Sequence, residues 1–437
     1  MHRDTAKSAS PPLQPTAERF NWHARARVFN ACGKEQKRAK STSGTSADGR
    51  LRDISDQTPA AALCAVYEAI AREQEFCLTS GVCADAPVLP TANGDAHFQC
   101  MSSGTSGAPR RVRRSQKSWI ESFEINAALW QISATDSYAV LGQLSHSLAL
   151  YGAAEALHLG ADLHLLSGAR PDRQMRALAA GSVNILYATP TQIRLLDEAA
   201  PEGTVPSLRL LLIGGAKLDP ATRALAQALF PNTAIHEFYG ASETSFITIA
   251  GADTPEGSVG CAYPGVEISI LGADGQTLPV GETGEIWVRS PYLFSGYAMG
   301  DTTGDTRWDA GWLTVGEFGW RDRSGALYLS GRRGRMVTIA DQNAFPEEVE
   351  TCLLTLEGVA RAAVLPESDT RRGHVFVACV QLDGQTCDTE RLMARCRALL
   401  GPLKAPRRIE LVADWPVLSS GKTDLAALSD LLSGARA

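Results

Sequence analysis

The chain has 437 residues, 44% of them apolar and 21% charged, with a net charge of −6. That length allows two or three domains with a large core, and the composition is that of an ordinary soluble protein. The mild acidity excludes a global pull toward nucleic acid or an anionic membrane surface, so no nucleic-acid partner is expected.

Charge is unevenly spread. Residues 1–50 hold ten Lys/Arg against four Asp/Glu, which leaves the remainder at −12. This stretch is rich in Ser, Ala, Pro and Lys with little periodicity, so residues 1–55 read as a disordered basic arm. Ten cysteines are scattered without a CxxC pair, and no secretory apolar segment opens the chain. Reduced thiols in a cytoplasmic protein are therefore expected. Cys352 and Cys379 sit in apolar-periodic runs and read as small core residues.

From about residue 60 to 330, apolar strands alternate with helical segments, which argues for a parallel sheet with crossover helices. The short alternating run Ala96 to Cys100 leads into Ser102-Ser103-Gly104-Thr105-Ser106-Gly107-Ala108-Pro109-Arg110. Glycines let this backbone turn tightly and approach a ligand, and successive N–H groups with hydroxyls can cradle phosphate oxygens. It is not a GxxxxGK[ST] loop, because that spacing and the terminal Lys-Ser/Thr are missing. Ser137 to Ala154 is uncharged over 18 residues, long enough to raise a membrane span. Gln143, Ser145, His146 and Ser147 at its centre would be penalised in lipid. It reads as a buried strand running into a helix, and no integral membrane segment is expected.

The apolar strand Leu208–Ile213 is followed by the turn Gly214-Gly215-Ala216, then by a helix capped by Asp219 with Pro220 at its first position. The next strand, Ala234–Phe238, ends in Tyr239-Gly240. Both glycine turns lie at carboxyl ends of strands, where open α/β sheets bind ligands. Residues 265–330 carry short alternating runs between Gly and Asp turns, the pattern of a twisted antiparallel subdomain. Beyond Gly331, Arg332-Arg333-Gly334-Arg335 reads as a polar hinge. Pro346 opens a helix with Val349, Cys352, Leu353 and Leu356 on one face, and a small α/β domain follows.

Taken together, these pieces resemble the AMP-forming acyl-/aryl-CoA synthetases, the superfamily shared with nonribosomal-peptide adenylation domains and luciferase. The resemblance covers about residues 95–425. In order, it rests on the phosphate loop, Leu144-Ser145-His146-Ser147, Gly214-Gly215-Ala216, Tyr239-Gly240-Ala241-Ser242-Glu243 and Gly284-Glu285-Ile286. Trp312 to Gly319, Gly331-Arg332, Asn343 to Glu350 and Pro416 to Asp424 complete it. It implies an α/β fold with a large N-terminal domain of parallel-sheet layers and a small twisted β subdomain over residues 56–331. A small mobile C-terminal α/β lid would occupy 332–437. It also implies ATP-dependent activation of a carboxylic acid as acyl-AMP with release of pyrophosphate. Transfer to the thiol of CoA or of a carrier-protein phosphopantetheine would follow, with an acyl carrier protein as possible partner. A nucleotide- or acyl-binding protein without turnover, or adenylation coupled to a non-thiol acceptor, are the alternatives.

The same resemblance assigns site residues. Backbone N–H groups of Ser102, Ser103, Gly104, Thr105, Ser106 and Gly107, with the Thr105 and Ser106 hydroxyls, would hold the ATP phosphates beside Arg110. Relatives usually carry Lys at that position. Gly214, Gly215, Ala216 and Tyr239-Gly240 would sandwich adenine, and Glu243 would ligate Mg²⁺. Ser242 matches a residue that contacts the phosphate. Arg332 joins the nucleotide site, and Lys422 matches a mobile lysine that bridges the acid and the α-phosphate. His146 would stand beside the carboxylate, with Leu148, Gly152, Ala241 and Phe246 shaping an apolar acyl pocket. The run Leu144–Gly152 contains no acidic residue, which favours a simple aliphatic or aromatic acid over an amino acid. Three departures stand out. Val315-Gly316-Glu317 replaces Thr-Gly-Asp, so Glu317 would hold the ribose. Gly334 replaces a hinge Asp or Lys, and Asp341 stands where relatives often have Gly on the pantetheine path.

Overall fold

The structure is a computed structural model that describes residues 18–36, 51–80, 96–102, 110–199, 203–299, 304–384, 388–417 and 423–434. Among these residues, a nine-stranded sheet forms the centre of the large domain. Its order is Cys261–Ala262, Ser245–Ala250, Ala234–Ala241, Leu210–Ile213, Ile185–Ala188, Ser137–Val140, Asp162–Leu165, Val28–Asn30 and Glu35–Gln36. The six strands from Ala234–Ala241 to Val28–Asn30 pair in parallel, and the strands at both edges are antiparallel. The central strands are continuous apolar runs because helices cover both faces; Leu210, Leu211, Leu212 and Ile213 are all buried. The helix Pro220–Leu229 starts where the sequence places it. The Asp219 carboxylate accepts from the Thr222 N–H at 2.8 Å, and Pro220 stands at the first position.

The basic arm needs correcting for residues 18–36 and 51–55. Phe20 and Trp22 are 3% and 4% exposed. Phe20 packs on Phe98 and Trp119, and Trp22 packs edge-on against Tyr67. Val28–Asn30 extends the parallel sheet beside Asp162–Leu165, and Arg52–Ser55 pairs with Phe76–Thr79. A three-residue strand is too short to show periodicity, and a few buried rings were outweighed by the polar residues around them. Residues 1–17 and 37–50 of the proposed arm lie outside the described residues.

A second sheet orders Gly296–Met299, Arg110–Ser115, His97–Ser102, Phe76–Thr79 and Arg52–Ser55. The expected antiparallel subdomain is a six-stranded sheet built around Gly284–Arg289. In the small domain, Val359–Asp369, Gly373–Leu382 and Arg408–Leu411 form a three-stranded sheet. It packs with the helices Pro346–Leu354, Thr389–Lys404 and Leu425–Gly434. Cys352 and Cys379 are buried there, as expected. Ser137–Val140 and the helix Ser147–Leu159 realise the strand-then-helix reading of the uncharged run. Among the described residues, no helix is long and apolar enough to cross a membrane.

Candidate active site

The strands on either side of the expected phosphate loop form a hairpin. His97–Ser102 and Arg110–Ser115 pair antiparallel with Ser102 opposite Arg110, so the loop's two ends are held together. Residues 103–109, and with them Ser103, Gly104, Thr105, Ser106 and Gly107, lie outside the described residues, as does the Ser102 side chain. Arg110 leaves the loop with its guanidinium 5.6 Å from the centroid of the Tyr297 ring, and it donates to the Tyr297 hydroxyl at 3.3 Å.

That hydroxyl donates in turn to Glu243 Oε1 at 2.6 Å and lies 3.0 Å from Thr306 Oγ1. Burial, and next the Glu243 charge, push the Tyr297 phenol up to about 12, so it stays a donor at neutral pH. Glu243 is 8% exposed and sits in the turn between Ala234–Ala241 and Ser245–Ala250. The turn is fixed from several sides. The Thr244 hydroxyl accepts from the Ala241 N–H at 2.9 Å, the Glu243 carbonyl accepts from the Phe294 N–H at 2.8 Å, and Ser245 takes a left-handed φ of +57°. Arg114, fully buried, donates to Ser245 Oγ at 2.6 Å and to the Tyr292 carbonyl. Burial pulls its pKa down to about 10, which still leaves it charged at neutral pH. Gly240 is needed here for close approach: a Cβ would lie 1.8 Å from the Ser245 carbonyl oxygen.

At the other end of this segment, the Tyr239 hydroxyl donates to Glu317 Oε2, and Arg332 Nε donates to Glu317 Oε1 at 3.0 Å. Glu317 is 9% exposed and Arg332 about half exposed. Each carboxylate oxygen carries two lone pairs, so Glu317 retains acceptor capacity for ribose hydroxyls while holding Tyr239 and Arg332. Gly214 has no room for a side chain because the Phe238 ring would meet its Cβ at 2.5 Å, whereas Gly215 and Ala216 are exposed at the turn.

His146 caps the helix Ser147–Leu159 with extended backbone and is exposed. The Met101 N–H donates to the Ser145 carbonyl at 3.0 Å, which sets His146 beside the strand that enters the phosphate loop. Ser147 Oγ lies 2.8 Å from Ser242 Oγ, joining this helix start to the Glu243 turn. Leu148 and Ala241 are half-buried nearby. Two of the expected pocket residues are enclosed by other side chains. Gly152 faces the sheet, where a Cβ would meet Tyr187 at 3.0 Å and Val140 at 3.3 Å. Phe246 is 4% exposed within an aromatic core. The sequence offered a signal for Gly152: Ala149, Gly152, Ala153 and Ala156 repeat at i, i+3, i+4 and i+7, a small-residue face that lets a helix pack close.

In the stretch read from sequence as a hinge, three arginines reach different elements. Arg332 binds Glu317, Arg333 binds Glu285 at 2.9 Å, and Arg335 binds Glu350 in the helix Pro346–Leu354 at 2.8 Å. Gly334 lies in a short 3-10 turn, and an added Cβ would make only ordinary contact, with Asp305 at 3.6 Å. Its conformational freedom is therefore not used in this arrangement. Ala340 and Asp341, at φ +45° and +65°, form the two-residue tip of a hairpin between Val337–Ile339 and Gln342–Ala344. Two left-handed residues match the strand twist there, although neither is glycine. Lys422 lies outside the described residues. Its neighbour Thr423 pairs with Val417 and accepts from the Trp415 indole N–H at 3.1 Å.

Among the described residues, no group of three or more His, Cys, Asp or Glu could hold a metal. An ion at Glu243 would take its remaining oxygens from a nucleotide and water, as Mg²⁺ commonly does. The hard carboxylate of Glu243, close to the loop exit, fits that arrangement. Sequence reasoning missed Tyr297 and Arg114, which lie far along the chain from the groups they hold.

Comparison with known proteins adds independent findings. The family described as AMP-binding enzyme matches residues 23–298, and the AMP-binding enzyme C-terminal domain matches residues 348–422. The first match begins inside the stretch read from sequence as disordered. An uncharacterised acyl–CoA ligase, YhfT, from Bacillus subtilis (strain 168) is 34% identical over 343 residues, covering 78% of this chain and 69% of its own. The ATP-bound structure of MatB from Rhodopseudomonas palustris superposes with a TM-score of 0.78 at 20% identity, covering 93% of this chain and 96% of that one. The amide bond synthetase McbA from Marinactinospora thermotolerans gives 0.70 at 26% identity, covering 88% and 80%.

Proposed function

We propose that this chain, which belongs to the AMP-binding enzyme family, activates an aliphatic or aromatic carboxylic acid as acyl-AMP and passes the acyl group to a thiol. The observation that carries the reading is how the segment Tyr239–Glu243 is tied at both ends. Through Tyr297, Glu243 is joined to Arg110 at the exit of the phosphate loop; through Glu317, Tyr239 is joined to Arg332 at the hinge. Nucleotide phosphates would lie at the first end and ribose and adenine at the second.

The chemistry requires no protein nucleophile. The substrate carboxylate forms a bond to the α-phosphorus and pyrophosphate leaves. The thiol then attacks the acyl carbon, AMP leaves, and the thiol proton passes to solvent. The chain's work is positioning and charge stabilisation. Arg110 and the phosphate loop hold the leaving pyrophosphate, and Ser242 sits within reach of the phosphate side. His146 stands at the helix start beside it, and Glu317 orients the ribose. Mg²⁺ held by Glu243 would neutralise phosphate charge when bound. Lys422 would arrive with the small domain and bridge the carboxylate and the α-phosphate.

Lys422→Ala is expected to slow acyl-AMP formation by ~10²–10³, with ATP binding largely kept. Pyrophosphate exchange and ATP titration check this pair, and an unchanged exchange rate would remove Lys422 from the reaction. The thiol is that of CoA, as the name of the YhfT relative suggests, or that of a carrier-protein phosphopantetheine. The likeness to McbA, with Asp341 at its hairpin tip, favours a second reading in which an amine takes the acyl group. Weighing the product after adding CoA, a loaded carrier or an amine to preformed acyl-AMP separates the three.

A further inference from the structure

The helix Ser147–Leu159 begins at the Ser147–Ser242 contact, where the adenylation reading puts the reacting carboxylate. One turn further on, the space toward the sheet is filled. Tyr151 meets Phe246 edge-on at 5.3 Å, Phe246 meets Phe238 edge-on at 4.9 Å, and Tyr263 lies 5.0 Å from Phe246. Gly152 has Tyr187 against it, and Phe238 occupies the room above Gly214.

These rings are also tied at their polar ends. Glu155, fully buried, accepts from the Tyr187 hydroxyl at 2.6 Å, from Tyr138 at 3.2 Å and from Asn126 Nδ2 at 2.7 Å. Asn126 also donates to the Tyr151 hydroxyl at 2.9 Å, and Asn126 Oδ1 accepts from Tyr263 at 2.6 Å. Swinging Tyr187 aside would strip a buried carboxylate of a donor; moving Tyr263 would cost Asn126 a donor, and moving Tyr151 would cost it an acceptor. Such orphaned groups are costly. The edge-to-face contacts hold the ring faces in the same positions.

Resting on the adenylation reading, we propose that Tyr151, Tyr187, Phe238 and Phe246 form a fixed wall that ends the acyl site. The acid this chain takes is then short. The four residue steps from Ser147 to Tyr151 rise roughly 6 Å, a depth that a tail of about four carbons fills.

Pyrophosphate exchange with the full-length protein over acetate, butyrate, octanoate and benzoate tests this. Acetate, butyrate or benzoate is expected to give kcat/KM at least ~10-fold above octanoate, since each methylene without room costs about that factor or more. Phe246→Ala is expected to raise the octanoate-to-butyrate ratio by roughly tenfold; should that variant not fold, the wild-type series decides alone. A maximum at octanoate overturns the length limit while leaving adenylation standing. No exchange with any acid overturns the adenylation reading and the limit with it.

Discussion

Glu155 and Glu243 are both buried glutamates that accept hydrogen bonds from tyrosine hydroxyls, and the helix from Ser147 connects their neighbourhoods. Glu155 takes three donors, from Tyr187, Tyr138 and Asn126, and is fully buried. Burial pushes its carboxyl up to about 7 despite those bonds. Glu243 takes the Tyr297 hydroxyl, lies at the turn beside Ser242 and keeps 8% of its surface exposed. The sealed cluster uses a carboxylate as an acceptor hub that fixes ring positions. The cleft cluster uses one to present charge to a ligand, with its orientation set by one phenol. The same two residue types thus serve shape in one place and chemistry in the other, and the depth of burial decides which.

Removing the charge at each glutamate should separate the two roles. Glu243→Gln keeps the size and the acceptor for Tyr297 but loses the anion. Acyl-AMP formation is expected to fall by ~10²–10³, about the worth of one preorganised charge-stabilising group. Thermal stability should stay near wild type, because the hydrogen bond from Tyr297 remains. A stopped-flow or exchange rate within a fewfold of wild type would place the charge outside the reaction.

Glu155→Gln should do the reverse, leaving the rate constants close to wild type and changing how stability depends on pH. A carboxyl whose folded pKa is raised binds its proton more tightly in the native state than in the unfolded one. Its stabilising contribution is full below the unfolded value, near 4.5, and is lost as pH rises through about 7. The wild type minus variant difference in unfolding free energy should therefore shift by roughly 3 kcal/mol against the wild type between pH 4.5 and 8. Urea melts at several pH values measure it, and a pH-independent difference would show that Glu155 has an ordinary pKa.

The contrast also explains what the sequence could show. Ser242-Glu243, Tyr239-Gly240 and Gly214-Gly215 stand in short local patterns because a turn at a strand end must place several functional groups at once. The strand-helix alternation of the large domain was legible for a similar reason, since Leu210 to Ile213 and the Asp219–Pro220 start are local signals. Partners across the fold were not. Tyr297 lies 54 residues from Glu243 and 187 from Arg110, and Asn126 lies 29 from Glu155. No local period records such pairs. Nor does a local pattern show that Gly152 is met by the Tyr187 ring or that Phe246 packs among Tyr151, Phe238 and Tyr263. The stretch from Phe20 to Asn30 was missed because its order comes from tertiary partners, the Phe98 and Trp119 rings and the Asp162–Leu165 strand, and not from its own composition.

The smallest effect is expected at Tyr297, and it tests whether the cleft cluster is held as described. Tyr297→Phe keeps the ring under Arg110 and the packing on Phe294, and removes only the hydroxyl that links Arg110 to Glu243. A hydrogen bond to a charged group is worth about 1.5–3 kcal/mol in full. Water at the cleft edge would replace part of it, so a loss of roughly tenfold is expected. The loss should appear in the magnesium concentration needed for tight ATP binding, followed by calorimetry, while ATP affinity in EDTA stays unchanged. A merely structural tyrosine would weaken ATP binding equally with and without the metal. That pattern would leave Glu243 oriented by its turn alone, through Thr244, Ser245 and Arg114, and would make the phenol a packing residue like those around Glu155.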